Sequence, residues 1–273
     1  MSDPRATPAS TAEPAPGLAA GIALPAALSL IAGVTDVTSW LLLGGFFSAH
    51  VTGNLVVIAA DVVAGRAPDI AAVLAIPIFI LTAAAATVFA RRLAERMTRR
   101  QGTTPSSSGS PARTITTVLL GSQALFLIAA AVLSFTTRAS VDPKQPVAVV
   151  IGLCAVCAMA AQNAYLHLVP GRAPSTAVMT GNLVTGTVAG VDLLRSRGRS
   201  SSARARWTQT WPLVAGFVAG CLVGAAGATL FSDRAAVIPA ALAVILFVVV
   251  CRRPLASVPT STAPTDPRER SVL

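Results

Sequence analysis

Residues 115–135 and 210–231 contain no Asp, Glu, Lys or Arg. Each run is long enough to cross a hydrocarbon layer of about 30 Å as a helix. A backbone in lipid must satisfy its own N–H and C=O groups, which leaves helices or a closed barrel. Barrel strands alternate lipid-facing and lumen-facing residues over ten-residue segments, and no such alternation is present. A soluble bundle would need a polar layer to cover several uncharged runs. The chain is 273 residues long with 12% charged residues, against about 25% in soluble domains, so it has no such layer. The sequence reads as an all-α, polytopic membrane bundle.

Eight apolar segments stand out, at about 18–45, 46–64, 69–90, 115–135, 146–169, 174–194, 210–231 and 235–251. Residues 1–17 and 252–273 are rich in Pro, Ala, Ser and Thr and read as disordered tails. That leaves one membrane domain over 18–251, with halves at about 18–136 and 146–251. A basic, Ser/Pro-rich linker lies at 91–114 and a second basic break at 195–206. The first apolar run follows no short basic region and shows no clear cleavage site, so it reads as a retained helix.

The two halves carry related strings, "SAHVTGNLVV" and "TAVMTGNLVT", with Thr52 and Thr180 spaced 128 residues apart. In each half a polar patch precedes the string, around Asp36 in one and Gln162 and Asn163 in the other. A segment with an early proline follows, Pro77 or Pro212. This is a weak two-fold internal repeat of the kind built by duplication in transporter folds.

Charge then constrains topology. The net charge of +10 comes from Arg-rich loops, with 5% aromatic residues. Without interleaved aromatics the arginines do not describe a nucleic-acid surface, and they read instead as cytoplasmic loop markers. If all eight segments cross, the loops at 91–114 and 195–206 fall on opposite sides. If each TGN segment enters and leaves on one side, six spans remain. The N-terminus, 91–114, Arg172, 195–206 and Arg252-Arg253 then share the cytoplasmic side, and the halves are inverted copies. We therefore expect about six transmembrane helices plus two short broken or re-entrant TGN segments.

The candidate site residues are polar groups at membrane depth. Glycine permits a turn and Thr favours a helix N-cap. Thr52-Gly53-Asn54 and Thr180-Gly181-Asn182 could therefore each start a half-helix whose free N–H groups face the midplane. Close helix packing by the glycines is the structural alternative. Asp36 is an intramembrane carboxylate and a functional candidate by default. Gln162 and Asn163 join this set, with His50 and Gln123 secondary. Gly216, Gly220 and Gly224 form a small-residue stripe for helix packing, within the chain or between copies in a homo-oligomer. Cys154, Cys157, Cys221 and Cys251 lie in apolar runs and suggest neither a disulfide framework nor a metal site. No sequence motif calls for a metal, a cofactor or catalysis.

"IAGVTDVTSWLLLGGFFSAHVTGNLVVIA" resembles the leading segment of the YoaK family of bacterial integral membrane proteins, through Gly33, Asp36, Phe46-Phe47 and the His50 string. "AMAAQNAYLHL" followed by "STAVMTGNLV" resembles that family's second motif. The resemblance covers roughly 18–251. It implies a bacterial inner-membrane protein of about six helices and brings no substrate with it.

The leading expectation is a small-solute or ion transporter or channel with its site between the paired TGN motifs. The runner-up is a non-transporting membrane scaffold or partner protein that packs through its glycine stripes, and a membrane-embedded enzyme comes third. The partners expected are the lipid bilayer and a small solute or ion, with no nucleic acid.

Overall fold

The computed structural model describes residues 16–101, 111–169, 176 and 178–252. The expectations placed on residues 1–15, 102–110, 253–273 and Arg172 lie outside them. Every regular element among the described residues is helical. In chain order they are α1 (Pro16–Leu42), α2 (Gly53–Val63), α3 (Ile70–Gln101), α4 (Pro111–Thr136), α5 (Pro146–Leu168), α6 (Met179–Arg195), α7 (Ser201–Phe231), a 3-10 turn (Ser232–Ala236) and α8 (Val237–Arg252). The N-terminal helix and α8 run slightly into the stretches read as tails. The basic stub after residue 90 continues α3 to Gln101 rather than opening a linker.

Five stretches are long and apolar enough to cross a membrane: Ala23–Leu42, Ile70–Met97, Arg113–Thr136, Pro146–Leu168 and Ser201–Arg252. The last spans 52 residues, but the 3-10 turn folds it into α7 and α8. Ser232, at φ 49°, breaks α7 at the fold. The spans of α1 and α5 are each 67% buried, whereas that of α3 is 11% buried. The first and fifth helices are therefore the centre of the bundle, and α3 is peripheral with a broad apolar surface suited to lipid.

Three stacked apolar clusters give the helix directions. At one end Leu43 meets Ala71, Ala130 and Ile151. In the middle Ile31 packs with Ala49, Leu127, Met159 and Ala240. At the other end Leu24 and Leu28 meet Ala90, Leu119, Tyr165 and Phe247. Thus α1 and α4 run one way, and α3, α5 and α8 run the other.

The seventh helix runs parallel to α1 at very close range. A Cβ on Gly216 would lie 2.5 Å from the Ala26 carbonyl oxygen, and one on Gly224 would lie 2.9 Å from that of Val34. A Cβ on Gly220 would collide with the Leu30 oxygen, and one on Gly33 with the Phe217 oxygen. The glycine stripe is thus filled inside the chain by α1, with backbone against backbone. That leaves it unavailable as an interface for a partner or a second copy.

The basic ends of α3, α4 and α8 and the turn between α6 and α7 gather at one end of the bundle. Asp61, Arg66, Asp69, Arg138, Asp142, Lys144, Asp233 and Arg234, four acids and four bases, lie at the opposite end.

Candidate functional site

The helices α2, of 11 residues, and α6, of 17, differ from the rest in where they begin. The loop before α2 reaches the central cluster, and the segment before α6 is buried between that cluster and the one at the basic end. After α1 the chain turns through Gly44 (φ 100°) and Gly45 (φ 83°). It then descends as an irregular loop until Ala49 reaches the central cluster. The second helix climbs back to the end it came from, and at 11 residues it is about 16 Å long, half a bilayer core. The sixth helix runs the other way. Thr176, just before it, is buried against Gln162 at the depth of Leu28. Gly186 then packs on Trp211 and Gly190 on Trp207, so α6 descends antiparallel to α7 and leaves at the basic end.

Asp36 holds the first loop in place. It is 3% exposed. Its Oδ1 accepts from the Ser48 N–H at 2.9 Å, the Ala49 N–H at 2.6 Å and the Ser48 hydroxyl at 3.3 Å. Its Oδ2 faces His50 Nδ1 at 2.6 Å. A carboxylate removed from water needs this degree of pairing. The His50 ring packs against Phe217 of α7, with centroids 4.9 Å apart at 66°, and its Nε2 is buried with no hydrogen-bond partner. The Ser48 hydroxyl also accepts from Ser39 at 3.3 Å. Ser39, Thr35 and Thr38 line a cavity of about 30 Å³ between α1, α4 and α5. Such a space admits a water or two.

Asn54 is fully buried, and both ends of its amide bond to the Phe47 backbone. It fixes the loop with one acceptor and one donor of its amide. Thr52 differs from the expected N-cap. It is exposed, its backbone is helical, and its side chain makes no capping bond. The first N–H groups of α2 are not free either: those of Gly53, Asn54 and Leu55 bond to the carbonyls of His50, Val51 and Thr52. Gly53 adopts no left-handed backbone. It leaves room for the Phe47 ring, whose nearest atom would be 2.9 Å from a Cβ. The break in the chain belongs to Gly44 and Gly45, which the sequence reading passed over although the doubled glycine at the end of an apolar run is the signal for them.

The second half is held by an amide where the first uses a carboxylate. Gln162 is buried at 0% exposure. Its Nε2 donates to the Leu28 carbonyl at 3.1 Å and to the Thr176 hydroxyl at 3.0 Å. Its Oε1 accepts from Gln123 at 2.7 Å. One side chain thereby joins α1, α4, α5 and the segment before α6. Asn163 turns back to its own helix, donating to the Met159 carbonyl at 2.9 Å. Asn182 is buried on α6, whereas Thr180 and Gly181 are exposed.

The structure therefore gathers Asp36, His50 and Asn54 around one loop and Gln123 with Gln162 around another. It leaves Thr52, Thr180 and Gly181 at the surface. Ser48, Phe47 and Thr176 complete the two arrangements. They are ordinary residues in the sequence, visible as partners only once the chain has folded back.

A family model described as "Protein of unknown function (DUF1275)" matches residues 24–249. The chain belongs to this family. The match takes in α2, α6 and every residue of both arrangements. No curated protein and no solved structure matches the chain.

Proposed function

We propose that this member of the DUF1275 family is a transporter or channel for a small solute or ion, organised around its two half-helices. One observation carries the reading. The helices α2 and α6 start inside the bundle and leave by opposite ends, each tied to a polar residue of the preceding long helix, Asp36 or Gln162. Broken helices of this kind build midplane sites in secondary transporters, and irregular backbone at membrane depth is tolerated only where protein or a water-filled cavity meets it.

In this reading six helices span the membrane. Three belong to each half, and the halves are inverted relatives. The basic end is cytoplasmic by the positive-inside rule, and the membrane is the bacterial inner membrane, in keeping with the YoaK resemblance. Asp36 and His50 supply the charged part of the pathway, and Gln123 and Gln162 the neutral part. The scaffold alternative drew on the glycine stripe, which is covered by α1.

The test is flux. Proteoliposomes of the full chain would be screened with potassium, sodium, chloride, protons and small neutral solutes, the last read by osmotic swelling. Wild type should conduct at least one of them, and Asp36→Asn and Gln162→Leu should reduce that flux at least tenfold, with Gly181→Ala unchanged. Flux no greater than from empty liposomes across the whole panel would sink the reading.

A further inference from the structure

The helices α2 and α6 end in the same kind of turn, but with different residues in the strained place. After α2, Gly65 sits at φ 69°, and the Arg66 N–H bonds back to the Asp61 carbonyl at 2.8 Å. After α6, the Gly198 N–H bonds back to the Leu193 carbonyl at 2.7 Å and the Arg197 N–H to that of Leu194 at 3.1 Å. The left-handed residue of this helix-ending motif is usually glycine. In the second turn it is Arg197, at φ 49°, followed by Gly198 at φ 76°. Folding alone favours glycine at that position, as the first turn shows, so the arginine needs another reason to be there.

Arg197 stands at the mouth of a groove of about 730 Å³ between the lower part of α6 and the start of α7. Val191 and Leu194 form one wall and Trp207 and Trp211 the other. The indoles lie 5.1 Å apart, centroid to centroid. Arg204 completes the mouth and is held there by a 2.8 Å bond from its guanidinium to the Gly198 carbonyl. That bond uses one of five donors, and neither arginine forms an ion pair among the described residues. The nearby carboxylate, Asp192, is occupied by Arg206 at 2.9 Å. The groove thus has apolar walls, a tryptophan pair and an uncompensated cationic mouth at the basic end of the bundle.

We propose that this groove binds one anionic phospholipid, with the phosphate at Arg197 and Arg204 and an acyl chain along Trp207 and Trp211. Charge complementarity selects the occupant. Apolar walls would accept any acyl chain, but two guanidiniums at headgroup depth match a net-negative headgroup better than a zwitterionic one. Tryptophan is the side chain most at home at that depth. The groove lies away from Asp36 and Gln162, so the inference is independent of the transport reading.

The tryptophans supply the readout. The chain has three, and Trp40, in α1 near the opposite end, is removed by Trp40→Phe. The purified full chain in mixed micelles would be titrated with brominated phosphatidylglycerol or brominated phosphatidylcholine, and indole quenching followed. Phosphatidylglycerol should quench at a mole fraction at least fivefold lower than phosphatidylcholine. Arg197→Asn, which keeps a residue tolerant of left-handed backbone, and Arg204→Gln should each remove most of that preference while quenching by phosphatidylcholine stays as it was. Equal quenching by the two lipids in the unaltered mouth would overturn the proposal, because the groove would then be a general acyl-chain surface. A preference that survives both arginine substitutions would overturn it as well. Flux measurements do not bear on either result.

Discussion

Asn54 closes a ring on Phe47, seven residues earlier. Its Oδ1 accepts from the Phe47 N–H at 2.7 Å, and its Nδ2 donates to the Phe47 carbonyl at 2.8 Å. One amide satisfies both polar backbone groups of a residue that has no neighbouring strand or helix to do so. Asn54→Ala strips both bonds at once from a fully buried site. Each buried group left unpaired costs about 1–3 kcal/mol, so the variant should lose at least about 2 kcal/mol in detergent unfolding. Asn54→Asp replaces the donor with a carboxylate oxygen facing the Phe47 carbonyl and should lose at least as much. A loss under about 0.5 kcal/mol for Asn54→Ala would mean that the ring does not hold the loop.

Gly220 and Gly181 make opposite predictions from the same substitution. Alanine at 220 drives a methyl into the Leu30 carbonyl, which is helix backbone and cannot rotate away. Alanine at 181 meets one atom, the Val178 Cγ1 at 3.1 Å, on an exposed position. Gly220→Ala should destabilise by about 1–3 kcal/mol. Gly181→Ala should be neutral, or gain up to about 1 kcal/mol of helix propensity. Thermal unfolding followed by circular dichroism checks both. The pair Gly33→Ala and Gly220→Ala should be non-additive, since both substitutions push the same two helices apart.

Asp36 separates geometry from charge. Asparagine at that position retains an oxygen for the Ser48 and Ala49 N–H groups, whereas leucine retains nothing. Asp36→Asn should therefore stay within about 1 kcal/mol of wild type, while Asp36→Leu, which orphans two backbone donors and His50, should lose about 3–5 kcal/mol. Similar unfolding curves for the two variants would show that the loop does not depend on this carboxylate.

The sequence disclosed what depends on composition and charge. Uncharged runs marked the long helices: 146–169 became Pro146–Leu168 and 115–135 lies within Pro111–Thr136. The arginine count singled out two segments, which are the helices α2 and α6; that both turn back within the membrane belongs to the proposed topology. What it hid depends on partners. The Thr-Gly-Asn string suggested that glycine makes the break, but the left-handed backbone belongs to Gly44 and Gly45, and no residue letter carries a φ angle. The partner of Asn54 is backbone, which every residue has, so no letter pointed to Phe47. Asp36 and His50 are 14 residues apart, and Gln123 and Gln162 are 39 apart. In each pair the partners sit on different elements, so the periodicity of a single helix could not join them.

Gln162 should be the most sensitive position of the second half. It joins four pieces of chain by three hydrogen bonds. Gln162→Leu preserves bulk but leaves the Gln123 amide and the Thr176 hydroxyl without this partner, for about 2–3 kcal/mol. The double variant Gln123→Leu with Gln162→Leu removes both members of the buried amide pair and should recover part of that loss. A double variant worse than the sum of the singles would show that the two amides act separately.

Membrane sidedness gives a prediction independent of stability. If α2 returns to the end it left, Leu41, at the exposed end of α1, lies on the same face of the membrane as Arg66 and Asp142, with Arg99 on the other. If α2 crossed instead, Leu41 would share the face of Arg99, because α3 separates Arg66 from Arg99 in either case. At 11 residues and about 16 Å, α2 falls well short of a hydrocarbon core of about 30 Å. Single cysteines would be placed by Leu41→Cys, Arg66→Cys, Asp142→Cys and Arg99→Cys in a background with Cys154, Cys157, Cys221 and Cys251 replaced by alanine. A membrane-impermeant maleimide added to sealed, oriented vesicles should label the first three together and spare the last. Inverted vesicles should give the reverse. Labelling of 41 with 99, apart from 66, would make α2 a full crossing and remove the geometry on which the proposed pathway rests.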